Sequence, residues 1–300
     1  MILGSHVHFG TNQLLGSVKE AVSYGANAFM FYTGAPQNTI RKEIDASLLN
    51  EAINLMKENN ISIDNIICHA PYIINLANKE KMTSWEFSIS FLKQEISRCE
   101  QMGIKYIVLH PGSYVNQTRE IGLQNIIEAL NYVINDNNKT MVLLETMAGK
   151  GTECGITTEE LKYILDNVKS SNIGVCLDTC HLHDAGYEMQ NFDQYLNDFI
   201  NMIPLERIKC IHINDSKNVI GSHKDRHANF GFGNIGFTAL LKIINNDKLK
   251  NVPKILETPY VSKDDFTKEL TIPPYKLEIE MIKSGIFNIN LIEEIRNYYK

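Results

Sequence analysis

The chain predicts an α/β fold, a single (β/α)8 TIM barrel, and three observations carry that expectation. Eight short β-branched apolar runs alternate with longer segments of helical period. The 300 residues modestly exceed the roughly 250 that such a barrel needs. Six consecutive runs lead into a His, Asp or Glu, at the C-terminal strand ends where a barrel builds its site.

The strands are expected, in order, at residues 2–5, 28–32, 65–68, 106–109, 141–144, 173–177, 208–213 and 252–256. Helices are expected between them at 14–24, 45–59, 83–102, 124–134 and 157–168. Gly25 and Gly103 stand where C-terminal caps belong, because glycine enters the left-handed region without a Cβ penalty. Thr157 and Glu160 have the spacing of a capping box. A nucleotide-binding open sheet would need a glycine-rich turn after its first strand, and Gly4 and Gly10 form neither a GxGxxG nor a Walker loop.

With 44% apolar and 21% charged residues the chain can bury a sizeable core. It has no low-complexity segment, like-charge block or Pro/Gly/Ser linker, so one domain spanning 1–300 is expected, with an additional helical segment from about 272 to 300. No run approaches the roughly 18 to 20 apolar residues of a membrane span, and MILGSHVHFG lacks the pattern of a signal peptide. A cytoplasmic monomer with no membrane association and no obligate protein partner is the expectation. The six cysteines are too sparse for a disulfide framework; Cys68, Cys176 and Cys210 fall inside apolar runs, where a thiol acts as a small hydrophobe.

The strand ends concentrate chemistry. His69 follows IIC, His110 follows YIVL, Glu145 follows MVLL, Asp178 follows GVCL, His212 follows CI and Glu257 follows KIL. Converging carboxylates repel one another unless a divalent cation neutralises them, and neutral imidazoles complete such a shell. His181, three residues after Asp178, and the pair Asp225 and His227 add donors of the same kind. Nine donors, at about three to four per catalytic ion, suggest two or three metals, with Zn2+, Mn2+ or Fe2+ suited to a mixed His/carboxylate set. The formal net charge of −6 argues against a nucleic-acid partner, but three divalent ions would cancel it and concentrate positive potential at the barrel mouth.

Blocks spread along the chain, GSHVHFG, YGANAFMFYTGAPQNT, HAPYIINLAN, LHPGSYV, LLETMAGKGTECG, CLDTCHLHDAGY, HINDSKN, GSHKDRHANFGFGNIG and ILETPYV, resemble the signature blocks of endonuclease IV, a DNA repair nuclease. The resemblance implies a TIM barrel holding three zinc ions: His69, His110 and Glu145 on the first; Glu145 as a bridge to the second with Asp178, His212 and Glu257; and His181, Asp225 and His227 on the third. It also implies double-stranded DNA as partner, with incision 5′ to an abasic site, a 3′-hydroxyl product and removal of blocked 3′ ends. Glu145 is then the catalytic carboxylate. Tyr72 and Ile73 resemble residues that wedge into the damaged duplex. Where some family members carry a basic residue in the loop after the second strand, this chain offers Gln37 or Arg41. The competing readings are a divalent-metal sugar isomerase or epimerase, which leaves His69, His110, His181 and His227 without a task, and a non-catalytic metal or nucleic-acid binding protein.

Overall fold

In the computed structural model, which describes Met1–Tyr299, eight parallel strands close into a barrel. They are β1 (Leu3–His6), β2 (Ala28–Phe31), β3 (Ile66–His69), β4 (Tyr106–Leu109), β5 (Met141–Glu145), β6 (Ile173–Asp178), β7 (Ile208–His212) and β8 (Lys254–Leu256). The first seven pair in chain order, and β8 closes the ring by pairing with both β7 and β1. All eight fall within the expected runs or one residue beyond them.

Five expected helices form: α1 (Gln13–Ser23), α2 (Ala46–Glu58), α3 (Met82–Met102), α4 (Arg119–Val133) and α5 (Thr158–Asn167). α4 starts five residues before its expected position because Thr118 caps it, its hydroxyl accepting the amide of Ile121 at 3.4 Å. Gly103 ends α3 at φ +75, a conformation that disfavours any side chain. The capping box forms only in half. Thr157 accepts the amide of Glu160 at 3.3 Å, but the Glu160 carboxylate turns to the amides of Gly155 and Ile156 and to Arg119, fastening the loop after β5 to α4.

Further helices complete the shell: α6 (Thr179–Ala185) and α7 (Phe192–Met202) follow β6, and α8 (Phe237–Ile244) follows β7. After β8, α9 (Tyr275–Ser284) packs against β1, and α10 (Leu291–Tyr298) lies beside α9. None of the described helices is long and apolar enough to cross a membrane.

Alternate residues of each strand face inward and outward. The outward set packs against the helices in one large core, while Ala28, Met30, Ile67, Val108, Leu143, Cys176, Cys210 and Ile255 fill the barrel interior. Gly4 occupies the tight corner between β1 and β2, where a Cβ would lie 1.6 Å from the Ala28 carbonyl oxygen. All six cysteines are free and buried, as expected of small hydrophobes. Lys254, at the start of β8, is also buried; its Nζ donates to the Leu249 carbonyl at 2.5 Å, and burial pushes its pKa down to about 8.

Candidate metal centre

The interior layer predicts the site by parity. Two residues beyond Ile67, Val108, Leu143, Cys176, Cys210 and Ile255 stand His69, His110, Glu145, Asp178, His212 and Glu257. Each therefore projects from its strand to the same side as the interior residue below it, one pleat nearer the C-terminal mouth. Register brings neighbours level, with Asp178 opposite His212 across the β6 and β7 pair.

Glu145 is the hub. One oxygen, Oε2, lies 3.2 Å from His69 Nε2 and 3.1 Å from His110 Nε2; the other, Oε1, lies 3.0 Å from His212 Nδ1 and 3.3 Å from His181 Nδ1. Glu257 reaches the same His212 nitrogen at 3.0 Å. His181 Nε2 and His227 Nε2 flank Asp225 Oδ1 at 3.2 and 3.4 Å. Five groups of donor atoms lie close enough to share an ion: His69, His110 and Glu145; Glu145, Asp178, His212 and Glu257; Asp178 with His181 and His227, where Asp225 is expected from the sequence; Asp225 with His227 and Cys180; and His212 with Cys176 and Cys210. All nine residues expected from the sequence are brought together at the mouth.

The electrostatics fit cations. Burial alone would push the Glu145 carboxyl up, but His212 and His110 beside it hold it well below the usual range. Burial disfavours charged imidazoles, yet Glu145 raises His110, and Asp178, Asp225 and Glu145 raise His181 well above its ordinary value. The buried His227 Nε2 lacks a hydrogen-bond partner, an orphaned donor atom aimed at the cluster. His69 Nδ1 and His181 Nδ1 contact the carbonyls of Ala70 and Thr146 at 2.7 and 2.8 Å, which fixes their rings and directs each Nε2 to the cluster. These residues fit divalent metal ions.

Sequence reasoning missed the groups that hold this arrangement. Asn214 donates to Asp178 at 2.7 Å and to Glu257 at 3.2 Å, and its own oxygen accepts the Glu257 amide at 2.8 Å. The block HINDSKN contained it, but as an amide beside a stronger candidate, His212, it gave no signal of its own.

The residues expected to meet DNA separate into two kinds. Tyr72, directly after the β3 loop begins, is exposed, whereas Ile73 is half-buried against the core. Gln37 is exposed and lines a cleft of about 500 Å³ with His6, His8, Phe9, Gln13 and Tyr32. Burial pushes His6 down to about 4, and its Nε2 has no hydrogen-bond partner. Arg41 corrects the expectation: its side chain is buried, with Nε donating to Glu95 Oε1 at 2.7 Å and Nη1 directed at the carbonyls of Asn38 and Ile40. Here the guanidinium is committed to a buried carboxylate and to its own loop, and Gln37 is the one of the two that is exposed.

A closed parallel barrel with His/carboxylate clusters at its mouth defines a class, the divalent-metal TIM barrels, and a family model described as "Xylose isomerase-like TIM barrel" matches residues 18–284. Within that class the relatives are specific. The chain is 51% identical to "Probable endonuclease 4" of Bacillus licheniformis, covering 98% of both chains. It is similar to the crystal structure of endonuclease IV from Thermus thermophilus, with a TM-score of 0.78, 26% identity and coverage of 95% of this chain and 98% of that one. The chain belongs to the endonuclease IV family. A D-tagatose 3-epimerase-like protein, 19% identical with a TM-score of 0.67 and coverage of 100% and 99%, shares the fold alone.

Proposed function

We propose that this endonuclease is a zinc-dependent DNA repair enzyme of the deoxyribonuclease IV (phage-T4-induced) type. It hydrolyses the phosphodiester 5′ to an abasic site and clears blocked 3′ ends. The observation that carries this reading is Glu145 set between His69 and His110 on one oxygen and His212 and His181 on the other. A sugar isomerase has no use for so many imidazoles.

His69, His110 and Glu145 would hold a first ion, Glu145, Asp178, His212 and Glu257 a second, and His181, Asp225 and His227 a third. Bound there, Zn2+, with Mn2+ or Fe2+ as substitutes for the same donors, would supply the Lewis acidity and concentrated positive charge that phosphate hydrolysis requires. In this reading Glu145, kept charged by the imidazoles beside it, accepts a hydrogen bond from the attacking water and so orients it. The water oxygen bonds to phosphorus as the bond from phosphorus to O3′ breaks; the water's proton passes to solvent and O3′ takes one up from solvent, leaving a 3′-hydroxyl and a 5′-phosphate. Tyr72 stands at the rim to fill the space of the missing base, and an abasic nucleotide, with no base to unstack, costs least to turn outward. Gln37, exposed on the cleft, faces the same substrate. The enzyme acts as a cytoplasmic monomer of one domain.

Incision of a duplex with one synthetic abasic site, beside an undamaged duplex and with metal content measured on the same sample, tests the proposal. Cutting 5′ to the lesion with three metals per chain is expected; a fully metallated sample that leaves the lesion intact would exclude it.

A further inference from the structure

Asp184 is buried, lies three residues after His181 on α6, and is not among the metal donors. Its carboxylate accepts three hydrogen bonds from one distant segment. Ser216 Oγ donates to Oδ1 at 2.6 Å, while Asn218 Nδ2 and the backbone amide of Asp225 donate to Oδ2, each at 2.8 Å. Backbone contacts reinforce the seam: the amide of His223 donates to the Asp184 carbonyl at 2.9 Å, and that of Gly221 to the His183 carbonyl at 3.0 Å. Between them the loop passes through left-handed backbone at His223, φ +54, and Asp225, φ +57. That region is uncommon for residues other than glycine, although Asp and His enter it more readily than most.

His181 comes from α6 and Asp225 and His227 from this loop, so the three donors meet only if loop and helix are joined. We propose that Asp184 is a positioning residue for the third metal. It accepts the Asp225 amide and so sets the height at which Asp225 Oδ1 stands between His181 and His227. The inference rests on the reading of those three residues as ligands.

The test is the zinc content of the full-length chain, equilibrated against a graded chelator series and read by mass spectrometry. The wild type is compared with His227→Ala, Asp184→Ala and Asp184→Asn. Three ions in the wild type and two in His227→Ala are expected. Asp184→Ala should release one ion at roughly 10- to 100-fold lower chelator strength, as removal of groups that orient ligands does, with the other two unchanged. Asp184→Asn should restore retention, because its amide oxygen can accept from Asn218 and Asp225 while its NH2 donates to Ser216 Oγ. Retention of three ions at wild-type strength by Asp184→Ala, with two in His227→Ala, overturns the role of Asp184 and leaves the ligand reading standing. Fewer than three ions in the wild type, or three in His227→Ala, overturns both. Should Asp184→Ala not fold, Asn218→Ala removes one of the three bonds and is expected to weaken the same single ion; no change there overturns the proposal.

Discussion

Arg41 Nε and Glu95 Oε1 meet at 2.7 Å with both side chains almost wholly out of water, bolting the loop after β2 to α3. Glu95 also accepts the hydroxyl of Thr33 at 2.6 Å. Replacing Arg41 with Ala removes the guanidinium paired with Glu95 but leaves Thr33 and the nearby Arg98 charge, so thermal melting should fall, by less than the about 3–5 kcal/mol of a fully unpaired buried ion. Gln37→Ala, on the same loop but exposed, should leave melting unchanged and weaken binding to abasic duplex. Equal effects of the two on stability would refute the division between anchor and contact.

Glu145→Gln keeps the shape of the hub and removes its charge. Incision should fall on the order of 10²- to 10³-fold, the range for a lost electrostatic contact to the reacting groups, and bound metal should fall with it. A Gln variant that cuts at wild-type rate would remove Glu145 from the mechanism.

Stability should depend on pH in opposite senses with and without metal. In the metal-free chain His110 and His181 sit above their ordinary values, their carboxylate neighbours outweighing burial. A raised folded pKa gives stability that is complete below the unfolded value of about 6.5 and lost as pH climbs through the folded one. Loaded protein behaves otherwise, since protons compete with metal for the same nitrogens. Melting of chelated protein should fall as pH rises above about 6.5, and that of zinc-loaded protein should hold or rise. Parallel slopes would show that these histidines do not hold metal.

Tyr72 is 56% exposed, so its loss should cost the fold little. If the ring stacks in the gap left by the missing base, Tyr72→Ala should weaken abasic-duplex binding by about 1–3 kcal/mol and leave affinity for intact duplex nearly unchanged. Gel-shift titrations with both duplexes decide it.

Among the described residues Lys254 has no carboxylate partner, only the Leu249 carbonyl. With its pKa pushed down to about 8, folding at neutral pH must bury a charge. Lys254→Met should therefore raise the melting temperature without changing incision, because the start of β8 faces away from the site. A lower melting temperature would show that the single hydrogen bond outweighs the buried charge.

The barrel was legible because its strands are short apolar runs bounded by polar residues, and the donors were legible because they interrupt those runs at their ends. Parity explains why the reading worked: each of Ile67, Val108, Leu143, Cys176, Cys210 and Ile255 fixes the direction of the donor two residues on. α6, α7 and α8 escaped, since α6 begins immediately at the end of β6, leaving no loop signal between them. Arg41 was misread because its charge is visible in the sequence while Glu95, 54 positions away, becomes its partner only when α3 packs. Asn214 and Asp184 were invisible for the same reason: their roles consist of partners supplied by other elements.

The last strand has a consequence for biogenesis. β8 both completes the ring and leads into Glu257, while the earliest donor, His69, closes β3. During synthesis, the first histidines emerge from the ribosome long before the strand that seals them together, so the nascent chain presents scattered donors rather than a centre. The group that includes Glu257 is therefore complete only once β8 has been made, whereas His69, His110 and Glu145 all precede it in the chain.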